Sequence, residues 1–131
     1  MAIDSATLRA LCTELSKKFK GARVEAFEQV DKWELVIRTR RDCFIVSCHP
    51  RSKRLMAAES KEDKISTHFS RTGDTLLKGT IVTGIHQKNL DRIAEIGFQK
   101  KDVVDRTSEY KLVVELVGSS GNALLLTSDN R

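Results

Sequence analysis

Asp91 and Arg92 stand side by side between Leu90 and Ile93, an acid and a base bracketed by apolar residues. An aspartate next to an arginine can fix the guanidinium's direction through a charge-assisted hydrogen bond, leaving other donors for a phosphate or a base edge. The planar arginine fork also stacks on exposed RNA bases. Further basic residues are grouped along the chain: Arg38, Arg40, Arg41, Arg51, Lys53 and Arg54 in one segment, Lys17, Lys18, Lys20 and Arg23 in a second, Lys100 and Lys101 in a third. The net charge is +5. Clustered lysine and arginine favour a polyanionic partner, because each neutralised phosphate releases condensed counterions. On charge grouping the candidate nucleic-acid contacts are Arg38, Arg40, Arg51, Lys53 and Arg54, whereas Asp91 and Arg92, taken on their own residues, read first as a surface ion pair.

Other residues with chemical potential point to less. Cys43, Cys48 and His49 lie close in sequence, but a strand would place the two cysteines on opposite faces, which is unsuited to a shared metal. Cys12, Cys43 and Cys48 are odd in number and set among apolar residues, the pattern of reduced buried thiols. His49, His68 and His86 fall on three different elements, and no spacing assembles a nucleophile with a base. Gly118-Ser119-Ser120-Gly121 has the composition of a phosphate cradle, yet a strand follows it, so it reads as a hairpin turn. The expectation is a binding module without catalysis, metal or cofactor.

The elements that must position these residues belong to one domain spanning residues 1–131, a length at which a chain buries roughly two thirds of its unfolded surface. No apolar run is long enough to span a membrane, and the amino terminus lacks a signal-peptide apolar block, so the expected location is the cytoplasm. A first helix is predicted from about Asp4 to Lys20, with Leu8, Leu11, Cys12, Leu15 and Phe19 at helical spacing and Gly21 as its stop. A strand meander follows in RVEAFEQV, WELVIRT and CFIVSC, with a turn at Asp31-Lys32. Residues 49 to 62, which hold the single proline, read as a long exposed loop. A second helix is predicted from about Lys64 to Lys78, weakened, kinked or split at Gly73. TIVTGIHQ, RIAEIGFQ, YKLVVELV and ALLLTS then read as four more strands. Helix, strands, helix, strands makes an α+β fold, an antiparallel sandwich or open barrel with two flanking helices.

Several segments in order resemble one family. TLRALCTEL is similar to its first helix, and Gly21-Ala22-Arg23-Val24 to its turn into the first strand. LLKGTIVTGIHQKNLDRIAEIGF resembles its run of helix end, glycine, strand, glutamine, Asp-Arg and strand, and YKLVVELVGSSGNALLLTSDN resembles its glutamate, glycine and asparagine segment. The chain thus resembles, over almost its whole length, the NFACT N-terminal domains of the fibronectin-binding protein A and RqcH family. The resemblance implies a fold similar to the N-terminal domain of formamidopyrimidine-DNA glycosylase. It also implies tRNA and large-ribosomal-subunit partners in ribosome quality control, with tRNA engagement at Asp91 and Arg92. The family's older name implies a protein partner instead. Glycosylase chemistry is not expected, because that activity uses an amino-terminal proline amine and this chain begins Met1-Ala2-Ile3-Asp4. Two departures stand out. Ser119-Ser120 replaces an arginine-histidine pair, and Gly73 and Asp74 interrupt a middle helix that is usually more basic.

Overall fold

A computed structural model describes residues 5–31, 33–40, 42–49, 52–58, 64–88, 92–101, 104, 106–116 and 122–127. The chain opens with helix α1 (Ser5–Phe19), in which Leu8, Cys12, Leu15 and Phe19 recur every three or four residues and form one buried stripe. Lys17 and Lys18 occupy its last turn, where cations complement the carbonyl end of the helix.

Four strands follow, β1 (Val24–Gln29), β2 (Glu34–Thr39), β3 (Cys43–His49) and β4 (Ser52–Ala58), paired antiparallel in chain order. The Asp31 carboxylate organises the first turn by accepting from the Trp33 and Glu34 amides at 2.7 and 3.0 Å. Helix α2 (His68–Leu77) then leads to a second sheet, β5 (Ile81–Gln87), β6 (Ile93–Lys101), β7 (Thr107–Glu115) and β8 (Asn122–Thr127), again antiparallel in chain order.

The inner faces of the two sheets share one core. Phe27, Leu35, Ile37, Phe44 and Val46 from the first sheet meet Ile96, Phe98, Leu112 and Val114 from the second, and the α1 stripe completes the cluster. Phe19 and Phe44 meet edge to face with ring centres 5.5 Å apart. The sheets are also joined through their backbones where β1 and β5 begin. Val24 donates to Thr80 at 2.8 Å, Gly79 to Val24 at 2.8 Å, Gly21 to Val82 at 2.8 Å, and Val82 to Ala22 at 2.9 Å. This seam makes the two meanders one hydrogen-bonded unit along that side.

The structure corrects the sequence reading in three places, the last of them at Gly73. Much of the segment expected as an exposed loop is strand β4, paired with β3 from His49↔Ser52 to Cys43↔Ala58. Its composition conceals it, because only Leu55 carries a large aliphatic chain fully into the core, while Met56 is exposed. The pairing comes from β3, whose register places Leu55 opposite Val46 and Ala57 opposite Phe44. The second correction concerns α2, which begins at His68 rather than near Lys64. Thr67 caps it in a reciprocal box with Ser70, and Ile65 instead donates to the Gln29 carbonyl at 2.7 Å beside β1.

Gly73 does not divide α2, which runs unbroken from His68 to Leu77. A Cβ at this position would lie 2.4 and 2.5 Å from two ring carbons of Phe27, a fully buried side chain. The neighbouring Asp74 accepts the Phe27 amide at 2.9 Å, satisfying an edge donor of β1. The two residues that depart from the resembled pattern thus hold α2 against Phe27. Alanine improves an ordinary helix by about 1 kcal/mol over glycine. Here the clash reverses the sign, and Gly73→Ala is expected to destabilise the fold by about 1–3 kcal/mol, measured by urea unfolding. A stabilised variant would contradict this packing.

Candidate nucleic-acid interface

Arg92 lies immediately before β6, at the base of the connection from β5. The Lys88 amide donates to the Ile93 carbonyl at 2.9 Å and closes this hairpin. The Arg92 carbonyl accepts from the Leu116 amide at 2.8 Å, which ties its backbone to the end of β7. Because Ile93 pairs with Glu115 and Glu115 with Asn122, the ends of β6, β7 and β8 lie together at this end of the sheet. Arg92 is half-buried there. Asp91, Gly118, Ser119, Ser120 and Gly121 lie outside the described residues.

Beside this hairpin, α1 and β5 enclose a groove of about 500 Å³ lined by Thr13, Ser16, Lys17, Lys20, Ile85 and His86. The Ser16 hydroxyl accepts from the Ile85 amide at 3.2 Å and pins the helix to the strand. Lys17 and Lys20, one helical turn apart, both border the groove because Leu15 and Phe19 turn the opposite face of α1 into the core. His86 stands opposite Glu95, which also meets Lys111 at 3.6 Å. This gathering was absent from the candidate set. The i, i+3 lysines on the outer face of an amphipathic helix were the available sequence signal.

The larger basic run is distributed differently. Arg38 on β2 donates from Nε to Glu28 Oε1 at 2.7 Å, and Lys64 Nζ lies 2.9 Å from Glu28 Oε2. Burial opposes ionisation of Glu28, but hydrogen bonds from Lys64 and Arg38 outweigh it and hold the carboxyl below its usual range. The same bond with Glu28 raises the Arg38 pKa above its ordinary value. Arg40 is exposed in the β2–β3 hairpin, where Thr39 donates through its amide and hydroxyl to the Asp42 carbonyl at 2.9 and 2.8 Å. Lys53 and Arg54 are on β4, opposite Cys48 and Ser47, and Arg51 lies outside the described residues. Arg38 pairs with Cys43 and Arg54 with Ser47, so these positions are separated by about 13 Å along β3. Adjacency in sequence does not bring this run together.

All three cysteines are buried and free. Cys48 belongs to the main core, whereas Cys43 packs with Val36 and Ile45 on the other face of the first sheet. Burial pushes the Cys12 thiol up to about 11 and raises Cys43 as well, so neither forms a reactive thiolate at neutral pH. Among the described residues, no three His, Cys, Asp or Glu side chains are grouped to hold a metal ion. Among the same residues, no helix is long and apolar enough to cross a membrane.

Two antiparallel meanders, joined by a backbone seam and flanked by two helices, define an α+β domain. Residues 4–131 match the family described as NFACT N-terminal and middle domains, and the chain belongs to that family. It is 27% identical over 132 residues to an Rqc2 homolog RqcH from Streptococcus suis strain 05ZYH33, covering 96% of this chain and 24% of that protein. An Rqc2 homolog RqcH from Streptococcus pneumoniae serotype 2 is 24% identical over the same proportions. The chain thus spans about a quarter of the length of these relatives.

Among solved structures, the N-terminal domain of fibronectin-binding protein PavA from Streptococcus pneumoniae superposes with a TM-score of 0.86 at 24% identity, covering 98% of this chain and 52% of that one. The N-terminal part of the fibronectin/fibrinogen-binding protein from Streptococcus suis gives 0.87 at 24% identity, covering 95% and 49%. These likenesses show the shared fold.

The ion-pair geometry also predicts a pH response. With its folded pKa depressed, Glu28 contributes stability above the ordinary carboxylate range, and that contribution is lost as pH falls through the folded value. Glu28→Gln is expected to lower stability at neutral pH by about 1–2 kcal/mol and to flatten the acid limb of the curve. Unfolding midpoints from neutral pH into the acid range check this, and parallel curves for the two proteins would refute it.

Proposed function

We propose that this is a non-catalytic RNA-binding module that engages tRNA as part of ribosome quality control on obstructed large subunits. The observation that carries this reading is the fixed position of Arg92. Its carbonyl is tied to β7, and Lys88 and the groove formed by Lys17, Lys20 and His86 border the same hairpin. A guanidinium on an anchored backbone gives up less freedom on binding than one on a loose loop. Asp91 is the proposed orienting partner, with Arg40, Lys53 and Arg54 adding long-range attraction from the side of the first sheet and Arg51 proposed with them from the sequence. Arg38, bonded to Glu28, has fewer free donors to offer.

The Rqc2-homolog names of the relatives support this reading. A cytoplasmic location, binding without a cofactor, and residues 1–131 folding as one unit belong to the same proposal. A second reading, a protein-interaction module, has its own support. Leu124 is 44% exposed on β8, an edge strand, and two structural relatives carry names that denote fibronectin or fibrinogen binding.

Salt separates the two readings. Binding of unfractionated tRNA to the purified chain is expected to weaken steeply between 50 and 200 mM salt, by roughly tenfold or more. Arg92→Ala is expected to cost about 1–3 kcal/mol of affinity. Affinity independent of both salt and Arg92, or saturable fibronectin binding without tRNA binding, would favour the protein-interaction role.

A further inference from the structure

The seam between the sheets gathers basic residues from distant parts of the chain. Gly79 forms the turn from α2 into β5 at φ 87°, a conformation strained for any residue bearing a side chain. The point where a Cβ would stand lies 3.8 Å from Lys100 Nζ and 3.9 Å from Arg23 Nη2. The two charged groups are therefore within about 8 Å of one another, no more than one Debye length at physiological ionic strength. Lys78, exposed, immediately precedes the glycine.

The Arg23, Lys78 and Lys100 side chains make no ion pair or hydrogen bond among the described residues. Arg23 bridges Ile81, and Lys100 stands opposite Ser108, so neither has an acid as its cross-strand partner. Asp74, one helical turn before Lys78, accepts the Phe27 amide. Like charges held this close repel, and the carbonyl end of α2 offsets only part of that repulsion.

The backbone beneath is held by short hydrogen bonds. Gly79 and Val24 are joined at 2.8 Å, as are Val24 and Thr80, and the Thr80 hydroxyl donates to the Leu77 carbonyl at 2.6 Å. Two cations no more than about 8 Å apart are both within reach of a single phosphate group that accepts at about 2.8 Å from each.

We infer that Arg23 and Lys100, flanked by Lys78 across the Gly79 turn, form a seat for one backbone phosphate of a bound RNA. This rests on the RNA-binding reading but places a second contact far from Arg92. From Ile93 to Lys100 the β6 strand advances about 23 Å, so the seat and the Arg92 hairpin hold opposite ends of one sheet. An extended polyanion crossing that sheet meets both.

The test compares the wild-type chain with the double variant Arg23→Gln/Lys100→Gln, using amide NMR spectra and fluorescence binding of a labelled tRNA. With wild type, inorganic phosphate at millimolar concentration and tRNA are both expected to shift the Gly79, Thr80 and Lys100 amides. In the double variant, tRNA affinity is expected to fall roughly tenfold, the scale of one charge-assisted hydrogen bond. The slope of log affinity against log salt is expected to fall by about 1–2. Its loss should multiply with that of Arg92→Ala, because the sites are too far apart to couple directly. Lys100→Arg should retain binding, and an unchanged unfolding midpoint shows that a loss is not one of folding.

Phosphate-induced shifts without any tRNA binding would establish a seat for free phosphate and overturn both its assignment to RNA and the RNA-binding reading. Arg92-dependent tRNA binding with no response to Arg23→Gln/Lys100→Gln would overturn the seat and leave that reading standing. Absence of amide shifts with either ligand would also overturn it.

Discussion

The short backbone ladder between Ala22–Val24 and Gly79–Val82 is the constraint on which the rest depends. Each meander alone would be a four-stranded sheet with one apolar face exposed, and neither could bury that face unaided. The ladder sets the angle and offset at which they meet. Phe27, Ile37 and Phe44 can then close over Ile96, Phe98 and Leu112. It also fixes where α2 must end, since Gly79 and Thr80 belong to both the helix exit and the seam.

From that constraint the positions of the charged residues follow. Sheet two carries basic groups at its two ends, Lys88 and Arg92 at one and Lys100 beside Arg23 at the other, with the α1 groove bordering β5. Sheet one instead pairs Arg38 and Lys64 with Glu28, stabilising the sheet's outer face and reducing the donors available to a partner. Chains of similar net charge can thus present quite different surfaces, depending on which cations find acids within the fold.

Much of the architecture was legible in the residues. The α1 stripe was explicit because helical periodicity and Gly21 agree. The strands of the second sheet were readable because Ile, Val and Leu alternate or run together between polar turns. Strand β4 was not, since it owes its conformation to hydrogen bonds from β3 more than to its own side chains. Gly73 was misread for a related reason. Helix propensity registers the missing side chain as a weakness, while the Phe27 ring that occupies its place comes from 46 positions earlier.

By itself the sequence determined the fold class, the buried thiols and the inventory of basic groups, because these depend on composition and local periodicity, and it carried the family resemblance in motifs that follow one another in order. Arg92 stands out in it through the resemblance to the family's Asp-Arg pair. Only the tertiary structure decided which polar and charged groups stand together: Arg38 with Glu28, Lys17 and Lys20 with His86, and Arg23 with Lys100 across 77 positions of chain. The physical reason is that electrostatic interaction depends on separation in space and on competing partners. Strand pairing and the seam set those separations, and no short-range pattern in the chain records them.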